Sequence, residues 1–491
     1  MRAADTGTGR THTGHRAHVV VVGGGIAGLA AAHRALATGA EVTVLEASGR
    51  VGGKLLPGEI EGVRVDLGAE SMLARRPEAV ALAQEAGLAD ALQAPATASA
   101  SLWTRGTLRP MPKGHVMGVP GYPSALAGVL SEDGLRRVAQ DAELPPTEVG
   151  EDVAVGRYVA ARVGREVVDR LVEPLLGGVY AGDAYELSLR MAVPQLYEAA
   201  RGHTSLLDGV RAIQRKAAAR QQTGPVFMGI AGGVGRLPLA VADAVRARGG
   251  EILLGHPVDE VRRTATGWQV RAKDRTLTAD ALVLAVPAPA AARLLADVAP
   301  GAAAELRSVA YASMALMTLA YRRADADLPE GSGFLVPPVD GRTIKASTFA
   351  SQKWGWIAEE NPDLLVLRTS VGRHGEEKDL ERDDSELIDV SRADLRDAVG
   401  LTAEPVATRV MRWHDGLPQY PVGHHARVAR VRAHVGRLPG LAVCGAAYDG
   451  VGIPACVASA YAAVDQLGGD GAGVEALTAH PVQSLHGGAG Q

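Results

Sequence analysis

Apolar and polar positions change period several times along the chain. Four valines, Val19–Val22, follow His18 without a break, the pattern of a strand covered on both faces. Three glycines come next, then an alanine-rich stretch of helical period ending near Gly39, then a second apolar run from Val42 to Leu45. Together these predict a complete strand–helix–strand unit. Residues 77–92 carry helical spacing, and residues 101–111 alternate as a hairpin does. From about Pro120 to Ala219 the period is mainly helical, with a break at Pro145-Pro146. The glycine-rich loop Gly229–Arg236 precedes a helix running through Ala247. Residues 251–286 read as strands, residues 311–370 mainly so, and 382–399 return to the helical period. A strand, a loop and a helix close the patterned chain over 441–466, and no repeat of solenoid length is visible.

Composition narrows the classes. The 491 residues include 51 Lys+Arg against 55 Asp+Glu, a net charge of −4, with 47% hydrophobic and 22% charged. That is a globular chain with enough apolar content for a large core. The charge balance excludes the basic stripe of a nucleic-acid binder, and 4% aromatics leave little for stacking on single strands. Two cysteines exclude a disulfide framework or a multi-cysteine zinc site and fit a reduced, cytoplasmic setting. No apolar signal core precedes Val19, so residues 1–16 read as a disordered extension, and residues 468–491 as a disordered tail. Leu441–Val464 is long enough to span a bilayer, but Gly445, Gly450, Gly452 and Pro454 interrupt it, so no transmembrane helix is expected.

Candidate chemistry begins at Gly23-Gly24-Gly25-Ile26-Ala27-Gly28, which matches G-x-G-x-x-G between a strand and a helix, with Glu46 ending the next strand. Gly23 allows the tight turn, Gly25 lets backbone approach a pyrophosphate, and Gly28 lets helix and strand pack closely. The helix N-terminus offers free N–H groups to phosphate, and Glu46 can accept hydrogen bonds from a ribose. Two residues later comes Gly49-Arg50-Val51-Gly52-Gly53, where glycines again allow close passage over a cofactor and Arg50 can offset pyrophosphate charge. At the other end, Cys444–Pro454 is a second glycine loop between an apolar strand and a helix. Pro454 suits the first helical turn, and the helix N-terminus can stabilise negative charge.

The second glycine signature, with Asp66-Leu67-Gly68-Ala69-Glu70-Ser71, resembles the FAD-dependent amine oxidase-like superfamily. Within it, Glu173–Asp183 (EPLLGGVYAGD), Leu187–Arg190, Tyr311–Ala315 and Tyr448–Pro454 resemble the porphyrinogen oxidase family over roughly residues 17–467. Met111–Gly114 and Gly68–Arg76 are similar to its soluble, Gram-positive-type branch, which acts on coproporphyrinogen III. The membrane-associated branch carries an arginine where this chain has Glu70 and another near Ala100; both are absent here, which weakens transfer of the protoporphyrinogen binding mode.

The resemblance implies an α/β (α+β) fold: a discontinuous Rossmann-like FAD-binding domain (17–90, 225–300 and 405–467), a mixed-sheet substrate domain (91–112 and 301–404), and a mainly helical insertion (113–224) lining the substrate pocket. It implies FAD held by Gly23, Gly24, Gly25, Ile26, Ala27, Gly28, Glu46, Ala47, Arg50, Gly53, Lys54, Gly68, Ala69, Glu70, Ser71, Val258, Trp413, Ala446, Val451, Gly452 and Ile453. The implied reaction is the six-electron oxidation of coproporphyrinogen III to coproporphyrin III in haem biosynthesis. Hydride passes from a bridge carbon to flavin N5, dioxygen is the acceptor and hydrogen peroxide the by-product. The cofactor carries the chemistry, so no catalytic side chain and no metal is expected, and His424-His425 are expected in a solvated loop. Basic residues should meet the substrate carboxylates at the pocket mouth; the candidates are Arg75, Arg76, Lys113, Arg190 and Lys345. Met314, Leu316 and Leu335 are candidates for the apolar slot. Transient hand-over of product to ferrochelatase fits this chemistry. Protoporphyrinogen IX oxidation and, further off, amine or carotenoid oxidation remain the alternatives.

Overall fold

The computed structural model of the protein describes residues 16–219 and 224–469. The expected N-terminal extension up to residue 15 and the tail beyond residue 469 lie outside the described residues.

Strand alternation explains the continuous apolar run at the start. In strand His18–Val22, Val19 and Val21 face one layer while Val20 and Val22 face the other, so both faces are buried. This strand is central in a five-stranded parallel sheet, ordered Glu251–Leu254, Glu41–Glu46, His18–Val22, Ala281–Leu284, Leu441–Val443. Three stretches far apart in sequence therefore build one sheet. Helices Ile26–Ala37, Pro77–Glu85, Arg236–Ala247 and Ile453–Gly469 contribute to the layer on one side. The other side carries the antiparallel strands Val258–Arg263, Trp268–Ala272 and Arg275–Ala279 with helices Ala288–Leu294, Pro300–Arg307 and His424–Val435.

A second, seven-stranded sheet runs Ala407–Pro418, Tyr311–Arg322, Leu364–Val371, Ala346–Thr348, Gly333–Leu335, Ala100–Thr104, Thr107–Pro110. The hairpin expected at 101–111 is present, turned at Arg105-Gly106 with φ of 55° and 73°, the primed geometry that matches strand twist. Two differences from the sequence reading stand out. Ala407–Pro418, which the sequence division places with the nucleotide-binding segments, is an edge strand of this second sheet. Between the strands of 311–370, Ala350–Lys353 and Gly355–Glu360 are short helices. Helix Asp384–Val399, opened by a reciprocal Asp383–Glu386 capping box, covers one face of the sheet, where Ala315, Met317, Leu367 and Val371 are buried. Register puts Met314, Leu316, Leu335, Ala346 and Ser370 on the opposite face, and all five are only half-buried.

The insertion is helical, as expected, and is tied together by a buried ion pair: Arg162 Nε donates to Asp141 Oδ1 at 2.7 Å, with both residues 0% exposed. Asp141 also accepts from Ser205 and from the Leu207 amide, so its lone pairs are satisfied. The insertion's helix Glu173–Tyr180 stands against the second sheet, where a Cβ on Gly178 would lie 3.7 Å from Leu335. Among the described residues no helix is long and apolar enough to cross a membrane.

Candidate functional site: a two-ended dinucleotide cradle

The three glycines after the first strand do different things. Gly23 has φ +110°, and a Cβ there would lie 2.5 Å from Ala285 O; a Cβ on Gly28 would lie 1.8 Å from Gly23 O. Both are forced by packing. At Gly25 a Cβ would have nothing nearer than Gly53 Cα at 4.0 Å, so the space above the helix N-terminus is open. The second glycine signature folds over this opening: Gly52 N donates to Gly24 O at 2.8 Å, and Gly25 and Gly52 form a parallel bridge. Ile26 and Ala27 open the helix beneath it. Arg50 lies alongside, its guanidinium on the carbonyls of Val51 and Gly53. An open helix N-terminus walled by glycine backbone, with an arginine beside it, is what a pyrophosphate needs.

Glu46 closes the strand next door. Its carboxylate accepts from Gly24 N at 2.6 Å and Ser48 N at 2.8 Å, which fixes the turn through Ala47. His256 N and Gly255 N donate to the carbonyls of Glu46 and Ser48, bringing the segment leading to Val258 against this turn.

The Asp66–Ser71 segment is held from several sides. Trp413 Nε1 donates to Leu67 O at 2.9 Å, and Arg368 Nη1 donates to Asp66 O and Gly68 O. A Cβ on Gly68 would lie 2.0 Å from Lys54 O, so this backbone approach requires glycine. Lys54 Nζ lies 5.5 Å from the centre of the Trp413 ring. Beside this pair, Lys54, Pro287, Arg293, Tyr311, His414 and Asp415 line part of a cavity of about 380 Å³. Ala69 is exposed and Ser71 half-buried. Glu70 pairs with Lys353 and, at 3.0 Å, with Arg368. Burial alone would raise its pKa, but the ammonium and guanidinium outweigh burial and hold the carboxyl down at about 2. The buried Asp66 carboxylate accepts from Val234 N and Gly235 N, at the start of helix Arg236–Ala247. Burial pushes its pKa up to about 6 against the pull of those two amides.

The C-terminal loop meets this cradle. Gly445 (φ +115°) would place a Cβ 3.7 Å from the Ala27 side chain, and Gly445 N donates to Ser459 Oγ. Ala446 packs on the nucleotide-side core and Val451 on the insertion, with Gly452 and Ile453 leading into the last helix. Cys444 and Cys456 are buried, and burial raises both thiol pKa values.

Among the candidate carboxylate partners, Arg75 is exposed and Arg76, paired with Glu78 at 2.9 Å, is half-buried; both follow the Asp66–Ser71 segment after Met72-Leu73-Ala74. Lys113 is exposed. Arg190 and Lys345 each have a partner of their own. Arg190 lies within the insertion, over the Tyr197 ring at 5.7 Å. Lys345 is 7% exposed, donates to Gly372 O, and by strand alternation shares the face of Ser347, opposite to Ala346. His424-His425 is a correction: the pair opens helix His424–Val435, and His424 is fully buried. A polar dipeptide beside Gly423 carries no local sign of that burial. Arg368 and Lys353 went unread, as did the bonds of Asp66 to Val234 N and Gly235 N, because these partners lie far apart in sequence.

A parallel sheet whose first and last glycine loops meet, accompanied by a separate mixed sheet with a half-buried apolar face, is the arrangement of a flavin-dependent oxidoreductase. The profile of the flavin containing amine oxidoreductases matches residues 26–468, and the chain belongs to that family. FAD is the flavin that the dinucleotide cradle fits. The chain is 40% identical over 471 residues to the coproporphyrinogen III oxidase of Mycobacterium tuberculosis, covering 94% of this chain and 98% of the relative. It is 33% identical to the coproporphyrinogen III oxidase of Bacillus subtilis, covering 91% and 97%. A crystal structure from an Exiguobacterium species, provisionally assigned as a protoporphyrinogen oxidase, superimposes with a TM-score of 0.81 at 33% identity, covering 92% and 99%.

Proposed function

We propose that the protein oxidises coproporphyrinogen III to coproporphyrin III, with dioxygen as acceptor and hydrogen peroxide as by-product, in a cytoplasmic step of haem biosynthesis. The observation that carries this reading is the 40% identity, over almost the whole of both chains, to a coproporphyrinogen III oxidase. Bound FAD supplies a two-electron acceptor, so three turnovers complete the six-electron aromatisation. The protein's task is to bind, orient and exclude water. Met314, Leu316, Leu335 and Ala346 offer the macrocycle an apolar wall, with the Glu173–Tyr180 helix opposite. Arg75, Arg76 and Lys113 are the cations available to propionates at the slot mouth. Glu70 is neutralised by Lys353 and Arg368, so the segment along the flavin presents backbone, not a free carboxylate, to an anionic substrate. Ferrochelatase, the metal-inserting enzyme, is the partner that would take the product.

The test is steady-state oxidation of purified FAD-loaded protein. Coproporphyrinogen III should be oxidised with a higher kcat/KM than protoporphyrinogen IX, and an amine such as putrescine should not be turned over. A preference for protoporphyrinogen IX would reassign the substrate; turnover of amines alone would remove the tetrapyrrole reading.

A further inference from the structure

The short helix Ala446–Asp449 carries the C-terminal glycine loop, and four residues close little more than one turn of hydrogen bonds. Two of its carbonyls are satisfied from outside. Tyr420 Oη donates to Ala446 O, and the next carbonyl, Ala447 O, meets His424 Nε2 at 2.9 Å. A carbonyl only accepts, so Nε2 carries the proton. Both residues are 0% exposed, and their rings stack with centroids 4.8 Å apart. Burial, against the pull of the Ala447 carbonyl, lowers the His424 pKa to about 4, so the ring is neutral near pH 7.

The same segment of chain also grips the insertion. Gln419 Nε2 donates to Tyr180 O at 2.8 Å, and the Tyr180 ring meets Tyr420 edge-on at 5.7 Å. Ser188 N donates to Tyr420 O at 2.8 Å, and Gly423 N to Asp152 Oδ2 at 3.1 Å. Tyr180 ends the helix whose Gly178 faces Leu335. Residues 419–424 thus reach the flavin-side loop with one set of side chains and the substrate-side insertion with another.

We infer that Tyr420 and His424 are positioning residues: they hold the glycine loop 445–453 in the orientation the flavin requires and tie it to the insertion wall. This rests on the reading that the loop faces the flavin. The loop leads into a 17-residue helix, Ile453–Gly469, whose N-terminal amides and dipole favour negative charge. Reduced flavin carries more negative charge than oxidised flavin. Loosening the loop therefore weakens binding of the reduced form more than the oxidised form.

Tyr420→Phe removes only the donor, and His424→Phe keeps an aromatic ring, slightly larger, while removing the Nε2 donor and the unpartnered Nδ1. In the FAD-loaded protein each should weaken reduced flavin about tenfold relative to oxidised, which lowers the two-electron midpoint potential by about 30 mV. Each should also raise the FAD dissociation constant. A merely structural role would lower the melting temperature and leave the potential alone. Wild-type potential and FAD affinity in both variants would overturn the inference. Should neither variant fold, amide exchange of the wild-type holoenzyme decides. Protection across residues 446–449 supports the clamp, and exchange as fast as in an exposed loop overturns it. None of these readouts involves a porphyrinogen, so they stay informative if the substrate assignment fails.

Discussion

Gly25 and Gly28 lack side chains for two different reasons, and the difference can be measured. At Gly28 a Cβ would strike Gly23 O at 1.8 Å, so the fold itself forbids one. At Gly25 the space is open, so the fold does not forbid one and only a bound pyrophosphate would. Gly25→Val should therefore fold, with a melting temperature close to that of wild-type protein stripped of flavin, yet purify colourless. Gly28→Val should not yield a stable fold at all. Visible flavin absorbance and thermal melts separate the two, and a yellow, active Gly25→Val protein would contradict the pyrophosphate assignment. These glycines were legible in the sequence because fingerprint, strand and helix are contiguous. Glu70 was only half legible: its place in the cradle segment follows from the Gly68–Ser71 stretch. Its neutralisation by Lys353 and Arg368, which lie some 300 positions away, leaves no local trace.

Among the elements, helix Arg236–Ala247 shows how a remote residue can do a cap's work. Its preceding amides, Val234 N and Gly235 N, are taken by Asp66, a side chain from the flavin-side segment. Asp66→Ala would strand two buried donors, and the expected loss is about 1–3 kcal/mol of unfolding free energy. Denaturant unfolding of the flavin-free variant against flavin-free wild type measures it; a midpoint equal to wild type's would show that water replaces the carboxylate at no cost. The same contrast runs through the fold. The Arg105-Gly106 hairpin and the helix over 382–399 were readable because turn chemistry and periodicity are local signals. Which face of a strand Lys345 occupies was not, since residue type alone does not report register, and the buried start of helix His424–Val435 depends on Tyr420 and Ala447 rather than on its own sequence.

For the whole molecule, the decisive feature is that the first and last strands of the described residues lie in one sheet. Strands His18–Val22 and Leu441–Val443 flank Ala281–Leu284 in one sheet, and helices Ile26–Ala37 and Ile453–Gly469 pack together in one core. Glycine loops from the first and last of these strands thereby meet, with Gly445 beside Ala27, while Gly178 of the insertion lies beside Leu335 of the mixed sheet. The sequence suggested this closure by repeating a strand–glycine–helix pattern at both ends, but the assignment of Ala407–Pro418 to the second sheet required the pairing itself. The central claim, a flavin placed against a slot for a reduced macrocycle, is tested most directly by mixing purified FAD-loaded protein with coproporphyrinogen III under anaerobic conditions. The account predicts that flavin absorbance bleaches with one two-electron equivalent per site, and that admitting air restores the yellow colour as coproporphyrin fluorescence appears. A flavin that stays oxidised in the presence of excess coproporphyrinogen III, with no porphyrin formed after air is admitted, would contradict it.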